Sequence, residues 1–207
     1  MNFTQLDHPV LEHKLAMLRD KETNSIGFRG IMNEIGTFLA YEATRYLETE
    51  KFNVETPLMK TECQRPKQYP MVVSILRAGN GLLDGVLNAL PYAPAGQIGI
   101  YRDKFINNTV EYYFKLPNTH KGRDVLLLDP MVATADTAIA SIDRLKKYQV
   151  GKIHLLCVLI SPMGLEKIHH FHPDVHIMCV KKEDGLNDKG YLLPGMGDAG
   201  DRLFNTL

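Results

Sequence analysis

From residue 71 onward the chain is built of short, nearly continuous apolar runs separated by amphipathic stretches, and this alternation limits the possible folds more than any other feature. Residues 71–76, 125–128, 153–160 and 175–180 are rich in Val, Ile and Leu. A strand with one face in water alternates polar and apolar residues. A run that is apolar at successive positions must be covered on both faces, as in a parallel sheet flanked by helices. Between the runs, Val86, Leu87 and Leu90, and then Ile139, Ile142 and Leu145, recur at helical spacing, and 164–171 reads as a helix stopped before Pro173. Residues 98–101 and 110–114 add two candidate strands. The pattern predicts an α/β fold with a mostly parallel sheet flanked by helices. In such sheets ligands bind where loops leave the carboxyl ends of strands, which points to the loops after Leu76, Tyr101, Leu128 and Val180.

The first fifty residues read helical. Leu11, Leu15 and Leu18 form one periodic set, and Ile31, Ile35, Phe38 and Leu39 form a second around Gly36. Residues 52–58 turn strand-like and end at Pro57. No repeat, low-complexity tract or linker divides the chain, so a single domain over 1–207 is expected, with 1–60 as a helical extension beside the sheet. At 23.4 kDa a compact chain would expose roughly 9,700 Å² and bury about 70% of its extended surface.

Several function classes are excluded at this level. Lys plus Arg and Asp plus Glu number 24 each, so the basic excess of a nucleic-acid coat is missing and no nucleic-acid partner is expected. Cys63, Cys157 and Cys179 form no C-x-x-C pair, which argues against a zinc ribbon or a disulfide framework. The apolar stretch 155–160 is far short of the ~20 residues of a membrane span. Asp7, His8, Glu12 and Lys14 stand where a signal peptide would be apolar. A cytoplasmic protein without membrane association is expected. His169, His170, His172 and His176 read as surface residues near a helix end rather than metal ligands, because Pro173 separates the last pair.

Three loops could carry chemistry. The segment Asp129, Pro130, Met131, Val132, Ala133, Thr134, Ala135, Asp136, Thr137 follows an apolar strand and leads into a helix. Free N–H groups and the positive helix dipole at such a junction suit a phosphate, with Thr134 and Thr137 as hydroxyl donors and Asp129 placed to accept from sugar hydroxyls. The plainer alternative is that Asp136 or Thr137 simply caps the helix. After the strand 71–76, Arg77 offers a planar fork for phosphate beside Gly79 and Gly81, and Arg102 follows 98–101 in the same sense. Gly79, Gly81 and Gly85 are spaced one residue too long for a dinucleotide fingerprint. Residues 190–202 hold four glycines and a proline, so an irregular backbone is expected there, either a turn-built recognition surface or a loose tail.

Read together, these motifs resemble the uracil phosphoribosyltransferase family over almost the whole chain. The matching stretches are His8-Pro9-Val10, Tyr41-Glu42-Ala43-Thr44, Ile75-Leu76-Arg77-Ala78-Gly79, Tyr101-Arg102-Asp103, Val110-Glu111-Tyr112-Tyr113, Asp129-Pro130-Met131 and 190–204, above all Gly197-Asp198-Ala199-Gly200-Asp201-Arg202. The resemblance implies a type I phosphoribosyltransferase fold with a C-terminal base-binding hood (184–207) and a flexible hairpin (103–115). It implies transfer of phosphoribosyl from 5-phosphoribosyl diphosphate (PRPP) to uracil, giving UMP and diphosphate in pyrimidine salvage with Mg²⁺. Residues 129–137 would hold PRPP, with Arg77 and Arg102 on the diphosphate. Asp129, Asp198 and Arg102 would be catalytic. Leu192, Gly197, Asp198 and Ala199 would contact uracil. Asp198 would touch PRPP or its Mg²⁺, the metal being carried by the diphosphate rather than by a protein cage. A homodimer or higher homo-oligomer, with room for a GTP effector, is also implied.

The sequence departs from the family at the phosphate loop, where Ala135-Asp136 replaces a Gly-Gly pair. Losing glycine restricts access to positive φ. A carboxylate about 4 Å from a phosphate at an effective dielectric near 20 is repelled by about 4 kcal/mol, or roughly three decades in PRPP affinity. On this ground an impaired regulatory or nucleotide-binding protein is the alternative reading. The same repulsion predicts that Ala135→Gly with Asp136→Gly lowers the KM for PRPP.

Overall fold

The computed structural model describes residues 2–103 and 108–206, with side chains described except at 102, 103 and 108. The chain runs through β1 (Phe3–Gln5), α1 (Pro9–Arg19), α2 (Ser25–Ala43), β2 (Thr49–Glu55), β3 (Lys60–Pro66), β4 (Met71–Leu76), α3 (Asn80–Ala89), β5 (Ala95–Asp103) and β6 (Asn108–Lys115). It continues through β7 (Val125–Leu128), β8 (Met131–Val132), α4 (Asp136–Lys147), β9 (Ile153–Ile160), α5 (Pro162–Phe171), β10 (His176–Lys182), β11 (Gly185–Leu186), β12 (Leu192–Leu193) and α6 (Ala199–Phe204).

The central sheet has the order β1-β10-β9-β7-β4-β5-β6, with β8 pairing β9. Every pairing in it is parallel except β5 with β6. The apolar runs are its middle, and their alternation sorts them between two cores. Val72, Leu126, Leu128, Leu156 and Val158 face α1, α2 and α3 through Leu15, Phe28, Ile35 and Leu82. Met71, Val73, Val125, Leu127 and Leu155 face α4 and α5 through Ile142, Leu145 and Ile168. After β4 the chain steps to β5 on one side, then returns to β7 on the other. That reversal opens a crevice at the carboxyl ends of β4 and β7, where a doubly wound sheet places its ligand.

Four helices begin at a residue whose side chain caps them. His8, Asn24, Ser161 and Asp198 accept from Val10, Gly27, Gly164 and Asp201 N–H groups, respectively. These bonds satisfy N–H donors that the first turn leaves without partners. Pro9 and Pro162 occupy the first helical position, where a missing N–H costs nothing.

Some sequence expectations need correction. Residues 1–60 are not a purely helical extension. β1 joins the sheet edge, with Phe3 opposite Ile177, and β2 pairs antiparallel with β3 as a separate hairpin. Phe38 is 39% exposed although its periodic neighbours Ile31, Ile35 and Leu39 are buried. The C-terminal segment is not a loose tail, since β11 pairs with β12 and α6 follows. Of the hairpin expected at 103–115, residues 104–107 lie outside the described residues, and β6 pairs with β5. The chain exposes 11,380 Å², above the roughly 9,700 Å² of a compact chain of this mass, which fits the largely exposed β2–β3 hairpin.

Candidate active site

A cavity of about 330 Å³ opens at the crevice between β4 and β7. Arg77, Asp129, Met131, Val132, Ala133, Thr134, Ala135, Asp136 and Thr137 all line it, so the structure gathers most of the loop residues the sequence singles out. Ile75, Leu76, Ala78, Ile100, Tyr101 and Ala138 complete the wall. Ile75, Leu76, Ala78 and Tyr101 belong to the two strand-end motifs quoted above, whereas Ile100 and Ala138 carry no chemical signature in the sequence. Pro130 does not line the cavity. It is buried, and its carbonyl accepts from the Val158 and Leu159 N–H groups at 3.0 Å each, which anchors the loop to β9. The Arg102 side chain lies outside the described residues.

The N-terminus of α4 differs from the capped helices. Its N-cap is Ala135, which makes no side-chain capping bond, and neither Asp136 nor Thr137 is the cap. The first-turn N–H groups therefore open toward the cavity without a capping side chain, the arrangement that binds anions. Ala135 sits in the left-handed region at φ 65°. The loop thus keeps the backbone shape that glycine would make easy, at a cost of roughly 1 kcal/mol for a residue with a Cβ. Ala135→Gly should raise stability by about 0.5–1 kcal/mol. Equilibrium denaturation checks this, and a destabilised variant would show that the left-handed turn costs nothing here.

Asp136 does not stand as a bare charge. Lys167 of α5 makes an ion pair with its Oδ1, and Thr134 donates its hydroxyl to Oδ2 at 2.9 Å. The expected three-decade repulsion assumed an unneutralised carboxylate, so it overstates the penalty. For the same reason Thr134 directs its hydroxyl proton to Asp136 rather than into the cavity.

Asp129 follows β7, its N–H bonded to the Leu156 carbonyl at 3.1 Å. Burial pushes its carboxyl up to about 7, against the smaller opposing pull of the Met131 N–H. It therefore takes up or loses a proton near neutrality.

The proposed base-contacting residues lie apart from this cavity. Leu192 and Ala199 are buried, Gly197 adopts φ 76°, and Asp198 caps α6 by accepting from the Asp201 N–H at 3.0 Å. Arg77 connects the two regions. Its Nη2 lies 3.2 Å from Asp201 Oδ1, and its guanidinium sits 5.6 Å from the Phe204 ring centre. The hood is fixed from beneath by residues that sequence reasoning misses. Buried Glu183 accepts from the Gly195 N–H at 2.8 Å and pairs with Arg19, which also donates to the Gly195 carbonyl. The bonds from Arg19 join residues more than 160 positions apart, and no local pattern signals them.

A model of the uracil phosphoribosyltransferase family matches residues 5–206. A uracil phosphoribosyltransferase of Legionella pneumophila (strain Philadelphia 1) is 48% identical over the whole of this chain and 98% of that protein. The structure of the AQ2163 protein from Aquifex aeolicus superposes with a TM-score of 0.92 at 33% identity, covering 98% of this chain and 97% of that one. Adenine phosphoribosyltransferase from Trypanosoma brucei, solved with AMP, pyrophosphate and ribose-5-phosphate, superposes with a TM-score of 0.60 at 14% identity, covering 91% of this chain and 87% of that one. That last likeness concerns the fold, which is of the type I phosphoribosyltransferase kind.

Proposed function

The chain belongs to the uracil phosphoribosyltransferase family, and on that premise we propose how its cavity and hood divide the substrates between them. The reaction transfers phosphoribosyl from PRPP to uracil and yields UMP and diphosphate in pyrimidine salvage. The 129–137 loop takes the 5-phosphate, with Asp129 on the ribose hydroxyls and Arg77 and Arg102 on the diphosphate. Leu192, Gly197, Asp198 and Ala199 receive uracil, chiefly through backbone groups. The observation that carries this reading is the α4 N-terminus, where the N-cap Ala135 makes no side-chain capping bond and residues 135–138 line a cavity shared with Arg77 and Asp129.

The geometry suits the charges of the reaction. Positive charge grows on the ribose ring as the diphosphate leaves, and an ionised Asp129 on the ribose hydroxyls would steady it. Arg77 meets the growing negative charge on the leaving group. Among the described residues no group of three or more His, Cys, Asp or Glu converges. A Mg²⁺ carried in on the diphosphate would take its oxygen ligands from that group, with a carboxylate such as Asp198 as the protein's contribution. Bound there, the ion would supply positive charge to neutralise the departing diphosphate. No helix among the described residues is long and apolar enough to cross a membrane. A homo-oligomer is supported by the β2–β3 hairpin, whose tip residues Leu58 and Met59 are 95% and 67% exposed.

The test is UMP formation from uracil and PRPP with Mg²⁺, in the parent chain and in Thr137→Val. Removing the hydroxyl at the first turn of α4 should raise the KM for PRPP about tenfold, the worth of one good hydrogen bond, and leave the KM for uracil in place. An unmoved KM for PRPP would take the 5-phosphate out of this loop.

A further inference from the structure

We infer that Lys167 is a positioning residue for PRPP: from the neighbouring helix α5 it neutralises Asp136 and so keeps the phosphate loop receptive to a dianion. This rests on the placement of the 5-phosphate in the 129–137 loop proposed above. Lys167 belongs to no loop that the sequence marks as chemical. It lies 31 residues from Asp136, and the ion pair between them spans the gap between α5 and α4.

Three residues of α5 and its cap, spaced three apart, meet the loop along one face. Ser161 donates its hydroxyl to the Ala133 carbonyl at 2.6 Å. Gly164 lets the backbones touch, since a Cβ there would sit 2.7 Å from the same carbonyl. Lys167 then reaches Asp136 one turn further on. The face that holds the loop's shape thus also supplies the charge that offsets its acid. Asp136 is fixed from its other side by the Thr134 hydroxyl at 2.9 Å, which directs the carboxylate along a defined line. The side chains of Lys167 and Asp136 are 36% and 22% exposed. The pair is therefore only partly in contact with water, and the loss of either partner is incompletely screened by solvent. Viewed this way, the acid replacing glycine in the loop and the lysine on α5 form one unit. The net charge facing the phosphate is set by both.

The decisive measurement is steady-state kinetics on Lys167→Met, Asp136→Asn and the double variant, at saturating and varied PRPP. Lys167→Met should raise the KM for PRPP about tenfold or more, the scale of coupling between neighbouring charges. Its kcat at saturating PRPP and its KM for uracil should stay within about twofold. Adding Asp136→Asn to Lys167→Met should return the KM for PRPP to near the parent value, because the carboxylate that Lys167 offsets is then gone. A lysine that merely braced the loop would not be rescued by removing its partner, so a double variant as impaired as Lys167→Met overturns the inference. So does an unmoved KM in Lys167→Met when Thr137→Val raises it. If Thr137→Val leaves it unmoved, the phosphate placement fails, and the charge compensation fails with it.

Discussion

Asp129→Asn is expected to lower kcat/KM by at least about a hundredfold while making the protein more stable at pH 8. On the proposed placement, the activity loss follows from replacing the carboxylate assigned to the ribose by a neutral amide, whose uncharged oxygen accepts more weakly from hydroxyls and cannot offset positive charge on the ring. Removing a single preorganised electrostatic group at a developing charge typically costs 10²–10³ in rate. The stability gain follows from burial. The Asp129 carboxyl sits at about 7 in the folded protein, against an ordinary value of 3.8. Between those values the folded chain holds a proton that the unfolded chain has released, so stability falls as pH rises from about 4 to about 7 and stays lowered above that range. At about 1.4 kcal/mol per unit the ceiling on this loss is roughly 4 kcal/mol, and partial access of water reduces it. Asparagine has nothing to ionise and escapes the loss.

The comparison must be made between the two proteins rather than along one pH profile. His154, packed beside His176, is pushed down to about 4 by its burial, and it titrates in the opposite sense. A histidine kept neutral in the fold loses stability as pH falls from about 6.5 to 4, which largely masks the Asp129 contribution in the parent chain. Subtracting the Asp129→Asn profile cancels the histidine and leaves the carboxylate. The difference should favour the variant increasingly from pH 5 to pH 8. PRPP affinity in the parent should rise through neutrality as the carboxylate ionises, whereas the variant should show no such rise. A variant with more than a tenth of the parent activity, or a stability difference flat in pH, would remove Asp129 from the role assigned to it.

How much of this was legible in the sequence depends on where each residue's partners lie. The strands 125–128 and 153–160 could be read because they are covered on both faces, and burial on both faces leaves a mark at every position. β3 could not, because its residues are mostly exposed and polar, and its pairing with β2 rather than any core holds it. β1 is three residues long and exists through its register against β10, a partner more than 170 positions away. α6 hides among glycines and aspartates that favour turns, until Asp198 is seen capping it. In the site, Arg77 and the 129–137 loop were legible because a strand end followed by small residues and a helix start is a local pattern. Lys167 was not, and its absence from the reading made Asp136 look like a defect.

The hood offers the other large effect. Arg202→Ala is expected to lower stability by about 3 kcal/mol and to raise the KM for uracil about tenfold or more, with the KM for PRPP within about twofold. Arg202 donates to the carbonyls of Leu18, Met196, Asp20 and Thr23, the last three at 2.8, 2.6 and 3.2 Å, and its guanidinium lies 4.4 Å from the Phe28 ring centre. One side chain thus ties the turn before Gly197 to the end of α1 and the loop that follows it. Hydrogen bonds from a charged donor contribute about 1.5–3 kcal/mol each and do not sum, since the carbonyls regain water when the arginine is gone. About 3 kcal/mol is therefore a reasonable total, a fall of roughly 6–12 °C in melting temperature for a domain of this size. The backbone it releases is the backbone assigned to uracil, whereas the phosphate loop is anchored separately, through Pro130 to β9 and through Ser161 to α5. That separation is why the two Michaelis constants should part. Arg202→Lys should recover little, because a single ammonium cannot span carbonyls that a planar fork reaches from both nitrogens. Thermal melts and paired KM measurements decide the matter: a variant that melts early yet binds uracil as the parent does would show that the base is read elsewhere.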